Sequence, residues 1–262
     1  MTDTDTDTDT DPSLDDASHT ALLAAIGGVL GSVDELQPYL DRVVEAVRRH
    51  VTGCDEVGIT LLVDARPRTA AYSTVATLEV DALQYQLDEG PCLDASRLRA
   101  EVVADLGVPD ERWPRFSRAA RADGVRSVMA LPLISGDECV GALNLYGREP
   151  HAFDAFEAGL ARVAAARVAD AVVAVIRLEG ALRLAGQLEQ AMASRAVIEQ
   201  AKGVLMAVRG IDEHEAFDWL RMTSQNRNVK LRSLAEQVVA GVTGGLGASH
   251  DGSSTGWRDA AH

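Results

Sequence analysis

The sequence predicts an α+β domain built on an antiparallel sheet, followed by an all-α module of three helices. Three observations point there. Short runs rich in β-branched residues alternate with stretches of helical apolar spacing. Two of those runs, VRSVMALPLI and ECVGALNLY, are joined by SGD alone, which reads as a β-hairpin. Beyond Phe153 every apolar pattern is helical.

The totals bound the answer. The chain has 262 residues, 47% hydrophobic and 25% charged, the composition of a soluble globular protein. Its net charge of −15 repels nucleic acid and anionic membrane, so any nucleic-acid site has to be local. Cys54, Cys92 and Cys139 form neither a CxxC pair nor a metal-ligand spacing. Odd in number and far apart, they fit a reducing cytosol, and a cytoplasmic location is expected. The start, MTDTDTDTDTDPSLDD, has neither the basic end nor the apolar run of a signal peptide. Residues 1–19 are expected to be a disordered acidic tail. The Gly/Ser-rich end, 244–262, is expected to be a second flexible tail. No apolar run is long enough to predict a membrane span.

Taken in order, Thr20 to Val51 reads as helical, broken at Gly31, with Leu22, Leu23, Ile26, Val29 and Leu30 and then Leu36, Leu40, Val43, Val44 and Val47 as apolar faces. GITLLVD and AAYSTVA read as strands with ARPRT as the turn between them. LDEGPCLDA is expected to be a loop because of its Gly-Pro pair. A helix is expected from about Pro114 to Asp123, then the hairpin. From Phe153 to about Met192 the chain reads as one long helix or a pair. There Val175, Leu178, Leu182, Ala185 and Leu188 keep near-heptad spacing. That suits either a short parallel coiled coil or a helix packed on the sheet.

The strand GITLLVD, the loop LDEGPCLDA and above all the hairpin SVMALPLISGDECVGALNLYG resemble a GAF domain. The domain assigned on this basis, with its flanking helices, spans 20–184. The resemblance implies a small-molecule sensor and dimerisation module. It names no ligand and no cofactor.

The C-terminal module is assigned to 185–243. Its first helix carries Val197, Ile198, Ala201, Val204, Leu205 and Val208 at helical spacing and stops at Arg209-Gly210. The second begins at Asp212, with Glu215 placed for a capping box. Ala216, Phe217, Leu220 and Thr223 form its inner face. The third carries Leu231, Leu234, Ala235, Val238 and Val239. The text IEQAKGVLMAVRGIDEHEAFDWLRMTSQNRNVKLRSLAEQVV resembles an ANTAR domain, a three-helix RNA-binding module of transcription antiterminators. The pairing with a GAF domain is similar to that of actinobacterial antitermination regulators. The implied fold is therefore an α+β GAF sensor domain with an antiparallel sheet, followed by an all-α three-helix ANTAR module.

Charge placement agrees. From Gly186 to Val242 there are seven basic and seven acidic residues, so this segment is formally neutral while the remainder carries the whole −15. An anion lands most readily here. Arg227, Lys230 and Arg232 cluster at the start of the third helix, which is either a solvated basic loop or a place where a phosphate would meet both cations and exposed amides. Together the resemblance and the charges assign RNA contact to Lys202, Gly203, Arg221, Arg227, Lys230 and Arg232. Gly203 has two readings: it admits an RNA backbone, or it lets two helices of the module pack closely. Lys202 is a phosphate contact or a solvated lysine. Trp219 stacks on an unpaired base or packs half-buried.

The function these features imply is a signal-responsive regulator that binds stem-loops in nascent mRNA as a homodimer, without catalytic or metal-ligating residues. A GAF-regulated DNA-binding transcription factor is the alternative, since three helices also suit helix-turn-helix geometry. Some GAF-fold proteins reduce methionine sulfoxide with cysteines, but the cysteines here are scattered, and Cys92 reads as a buried loop residue.

Overall fold

The computed structural model describes residues 20–28, 30–153 and 155–246. The expected tail 1–19, Val29 of the first helical stretch, and residues 247–262 of the expected C-terminal tail lie outside the described residues. The chain divides into two compact units, Met1–Gly180 and Ala181–His262.

The first unit opens with a helical segment over 20–26 (α1), a 3-10 turn at Val33–Glu35 and α2, Leu36–His50. Strands β1 (Glu56–Val63) and β2 (Arg66–Tyr72) form a hairpin that turns at Asp64 and Ala65, φ 50° and 59°. That left-handed pair matches the twist of the strands. The turn expected over ARPRT is therefore corrected, because Arg66 to Thr69 already belong to β2. Pro67 is tolerated there because β2 is an edge strand.

Beyond Tyr72 the expected strand gives way to α3, Val75–Leu87, capped by the Thr74 hydroxyl accepting from the Thr77 amide. The expected loop LDEGPCLDA is largely helical. Gly90 takes φ 143° and Pro91 opens α4, Pro91–Leu98, at a position where its missing N–H is no loss. Strand β3 (Val102–Asp105), α5 (Pro114–Ala122), β4 (Ser127–Ser135) and β5 (Glu138–Gly147) follow.

The five strands form one antiparallel sheet in the order β2-β1-β5-β4-β3. Both faces are covered, which is why the hairpin text is almost continuously apolar. On one face Val57, Ile59, Met129, Leu131, Leu143 and Leu145 pack with α1, α2 and helical residues from Ala158 to Val173. On the other, Val128, Ala130, Ala142 and Tyr146 pack with Val80, Cys92, Phe116 and Ala120 from α3, α4 and α5. Alternate residues of each strand thus serve opposite cores. Gly141, paired with Leu61 of β1, is obligatory: a Cβ there would run into the Thr60 carbonyl oxygen.

Helix α6 runs without interruption from Ala155 to Arg209. The stretch expected as the module's separate first helix is therefore the last part of this one. Val175, expected in a coiled-coil seam, is 3% exposed and buried, whereas Leu182 and Leu188 are 61% and 56% exposed. In the second unit α6 is followed by α7, Glu213–Arg227, and α8, Leu231–Leu246. Residues 244–246, expected in the flexible tail, are the end of α8. The core of this unit is small: Ala201, Leu205, Ala216, Leu220, Leu234 and Ala235.

Candidate nucleic-acid interface

The α6–α7 junction is built by local rules. Gly210 takes φ 68° and ends α6. Asp212 caps α7, accepting from the Glu215 amide at 2.8 Å, while the Asp212 amide donates to the Glu215 carboxylate at 3.0 Å. This is the capping box expected from the spacing. Lys202 faces the junction. Its ammonium donates to Glu199 at 2.8 Å and to Glu213, the first residue of α7, at 2.6 Å. Its side chain is only 9% exposed, so it is neither a solvated lysine nor a free cation. Its hydrogen bonds to Glu199 and then to Glu213 hold the ammonium above its ordinary pKa. The same contact, with the Lys202 hydrogen bond as its largest cause, holds the Glu213 carboxyl below its own.

Gly203 is exposed, and a Cβ added there would meet nothing within 4 Å. Close helix packing therefore does not account for this glycine among the described residues. It leaves an open patch of backbone on a helix, beside a cation held by two carboxylates.

The opposite end of α7 is built differently. Asn228 adopts φ 52° and ψ 42°, and the Ser224 hydroxyl donates to the Val229 carbonyl at 2.6 Å. Asn tolerates this left-handed position better than most side chains. Lys230 follows, and its carbonyl accepts from the Leu234 amide as α8 starts. Lys has no side-chain oxygen to cap the orphan amides of the first turn. Arg227 and Lys230 are exposed and form no ion pair among the described residues. Arg232 pairs with Glu236 at 2.8 Å, and Arg221 with Asp218 at 3.2 Å. Five of the six predicted residues thus fall into two groups at opposite ends of α7, separated by roughly 20 Å along its axis, with Arg221 on the helix between them. Lys202 and Gly203 lie at one end, and Arg227, Lys230 and Arg232 at the other.

One feature was missed from the sequence. The Arg209 guanidinium stacks 4.4 Å from the Trp219 ring centroid, and Trp219 packs half-buried against the small core. No spacing rule links the two, because they lie on different helices. Among the described residues no group of His, Cys, Asp or Glu is gathered to hold a metal, and no helix is long and apolar enough to cross a membrane.

The comparisons with known proteins match each unit separately. The family model for the GAF domain matches residues 34–173, and that for the ANTAR domain matches residues 186–239. No curated protein matches the chain. Among solved structures, the first unit is similar to the GAF domain of a Coxiella burnetii phosphoenolpyruvate-protein phosphotransferase, with TM-score 0.53 and 15% identity over 66% of this chain and 99% of that one. It is also similar to the GAF domain of the Acinetobacter phosphoenolpyruvate-protein phosphotransferase, with TM-score 0.51 and 16% identity over 64% of this chain and 98% of that one. At such identities the likeness establishes the fold alone. The two-faced antiparallel sheet and the three helices at the end agree with these matches, and the chain belongs to the GAF-domain family, with an ANTAR domain following the GAF domain.

Proposed function

We propose that the protein is a signal-responsive RNA-binding regulator of transcription antitermination, acting on stem-loops in nascent mRNA through its ANTAR domain. The observation that carries this reading is the ANTAR match over residues 186–239. The start of α8 supports it. Orphan amides there lie beside the unpaired cations Arg227 and Lys230, an arrangement suited to phosphate. Arg232, Arg221, Lys202 and Gly203 extend the contact, with Lys202 available once a phosphate displaces one of its carboxylates. The GAF domain reads a small-molecule signal. The stripe of half-buried Leu178 and exposed Leu182, Ala185 and Leu188 joins two chains into a homodimer, and the protein works in the cytoplasm.

The test is an equilibrium titration of the full chain with a labelled stem-loop RNA and, separately, with duplex DNA of the same sequence. Tighter binding to the stem-loop is expected. Preference for the duplex would overturn the RNA reading in favour of a DNA-binding transcription factor.

A further inference from the structure

The face of the sheet toward α3 and α4 holds a buried polar cluster. Thr60, Asp81, Gln84 and Asn144 are all fully buried, and Tyr146 is 1% exposed. Asp81 Oδ1 accepts from the Tyr146 hydroxyl at 2.5 Å and from Asn144 Nδ2 at 3.1 Å. Its Oδ2 accepts from the Thr69 hydroxyl at 2.9 Å. From Thr69 the hydroxyls continue without a gap: Thr69 to Tyr85 is 3.0 Å, and Tyr85 to Thr60 is 2.8 Å. The Cys92 thiol donates to Thr60 at 3.2 Å. Gln84 ties the cluster to α4, accepting from the Cys92 amide at 2.9 Å and donating to Tyr146 at 2.8 Å.

Of this hydroxyl row, Tyr85 also reaches open space. It is half-buried and lines a cavity of about 280 Å3 beside Leu93, Ser96 and the Asp88–Arg97 ion pair. Each of the hydroxyls Thr69, Tyr85 and Thr60 can donate one hydrogen and accept another, so the row can reverse its direction. With Asp81 ionised, Thr69 donates to the carboxylate. With Asp81 protonated, the carboxyl donates to Thr69, Thr69 to Tyr85, Tyr85 to Thr60 and Thr60 to the Cys92 sulfur, while Asn144 Nδ2 still donates to Thr60 at 3.0 Å.

We propose that Asp81 is a proton-binding site, connected to the cavity through Thr69 and Tyr85, whose protonation tightens the hold of α3 and α4 on β1 and β5. Protonation keeps every contact of the cluster, turning only the weak Cys92 thiol from donor to acceptor, and removes a buried charge. The titratable groups facing Asp81 are Tyr85 from α3, Cys92 from α4 and Tyr146 from β5, while β1 and β2 present Gly58, Thr60 and Thr69. No cation is among the groups that act on it. Burial, opposed by hydrogen bonds from Tyr146, Thr69 and Asn144, raises its carboxyl from 3.8 to about 6.

The experiment uses the full chain with carbon-labelled aspartate, following side-chain carboxyl resonances against pH. One carboxyl is expected to titrate well above the others and to vanish in Asp81→Asn. Thr69→Val removes both the donor to the ionised form and the acceptor of the carboxyl proton, and because the bond to the charged form is the stronger, the same titration moves upward. Amide exchange of α3 and α4, corrected for its intrinsic pH dependence, is expected to speed up as pH rises through the transition. A normal range for every aspartate would overturn the site, as would a high carboxyl that persists in Asp81→Asn. Should Asp81→Asn fail to fold, an unmoved titration in Thr69→Val overturns it equally. Unchanged exchange across the transition overturns the tightening.

Discussion

The Lys202 ammonium stands 2.6 Å from the Glu213 carboxylate and ties α6 to the first residue of α7. Glu199 supplies a second carboxylate at 2.8 Å, so the local charge is net negative at a place assigned to RNA. Glu213→Gln removes one of these competitors. It is expected to raise RNA affinity and to steepen the salt dependence by up to about one unit of slope. The same variant lowers the thermal midpoint of the second unit. A lower midpoint with unchanged RNA affinity, from parallel melting and binding titrations, would leave Lys202 a purely structural tie.

The pH dependence of this pair has a definite sign. The folded pKa of Glu213 is depressed below its ordinary 4.5, so its stabilising contribution is complete above that value. The contribution is lost as pH falls through the folded value. Lys202 is shifted upward, so its part is present throughout the neutral range and lost only in strong alkali. Thermal melts of Glu213→Gln and of the native protein are expected to converge on acidification.

Gly203→Ala separates folding from binding. The position is helical and open, so alanine is expected to stabilise the second unit by roughly 1 kcal/mol. RNA affinity is expected to fall, because a methyl group then covers the bare backbone beside Lys202. A more stable variant with full RNA affinity would remove Gly203 from the interface.

Arg227 and Lys230 are expected to differ from Arg221 and Arg232. The first two carry no ion pair among the described residues, and each alanine variant should lower the slope of log affinity against log salt by about 0.7–0.9. Arg221 and Arg232 already sit beside Asp218 and Glu236, so their variants should change the slope less. Circular dichroism checks that each variant remains folded.

The apolar stripe on α6 is tested by charge. Leu182→Glu combined with Leu188→Glu alters side chains that are 61% and 56% exposed, so the fold of either unit is expected to survive. Sedimentation at micromolar concentration is expected to show a dimer for the native chain and a monomer for the variant. Identical sedimentation of both would rule the stripe out as the dimer contact.

The cysteines are expected to react in a fixed order. Cys92 is 1% exposed, and burial pushes its thiol up to about 12. Burial raises Cys54 as well. Cys139 is only half-buried. One thiol per folded chain should therefore alkylate quickly, and Cys139→Ser should abolish that phase.

How much of this was legible in the sequence depends on which face of each element is apolar. The β4–β5 hairpin and the Asp212–Glu215 cap were readable because strand alternation and capping chemistry are local. Helix α3 was not, because its buried face is Thr77, Val80, Asp81 and Gln84, mostly polar, which erases the apolar period. Strand β3 is too short, Val102–Asp105, to show alternation. Pro67 drew the turn into β2, because edge position is a property of the sheet and not of the residue. In the second unit the cations could be counted, but their partners could not. Glu199 lies one turn from Lys202, whereas Glu213 reaches it only after the chain reverses at Gly210.

Between Ile176 and Gln200, α6 buries almost nothing, and Leu182, Leu184, Leu188 and Met192 are all more than half exposed. Its helicity there rests on backbone bonds and the intrinsic preference of Ala, Leu, Arg, Gln and Glu, weakened at Gly180 and Gly186. In a chain separated from its dimer partner this stretch lacks the packing that supplies most of a helix's stability, so it melts at a temperature set by its own helix–coil balance and not by either core. Arg183 and Arg195 lie inside it. A trypsin-like protease therefore finds its first unwound substrate in the middle of the longest helix, while the domains on both sides are still folded.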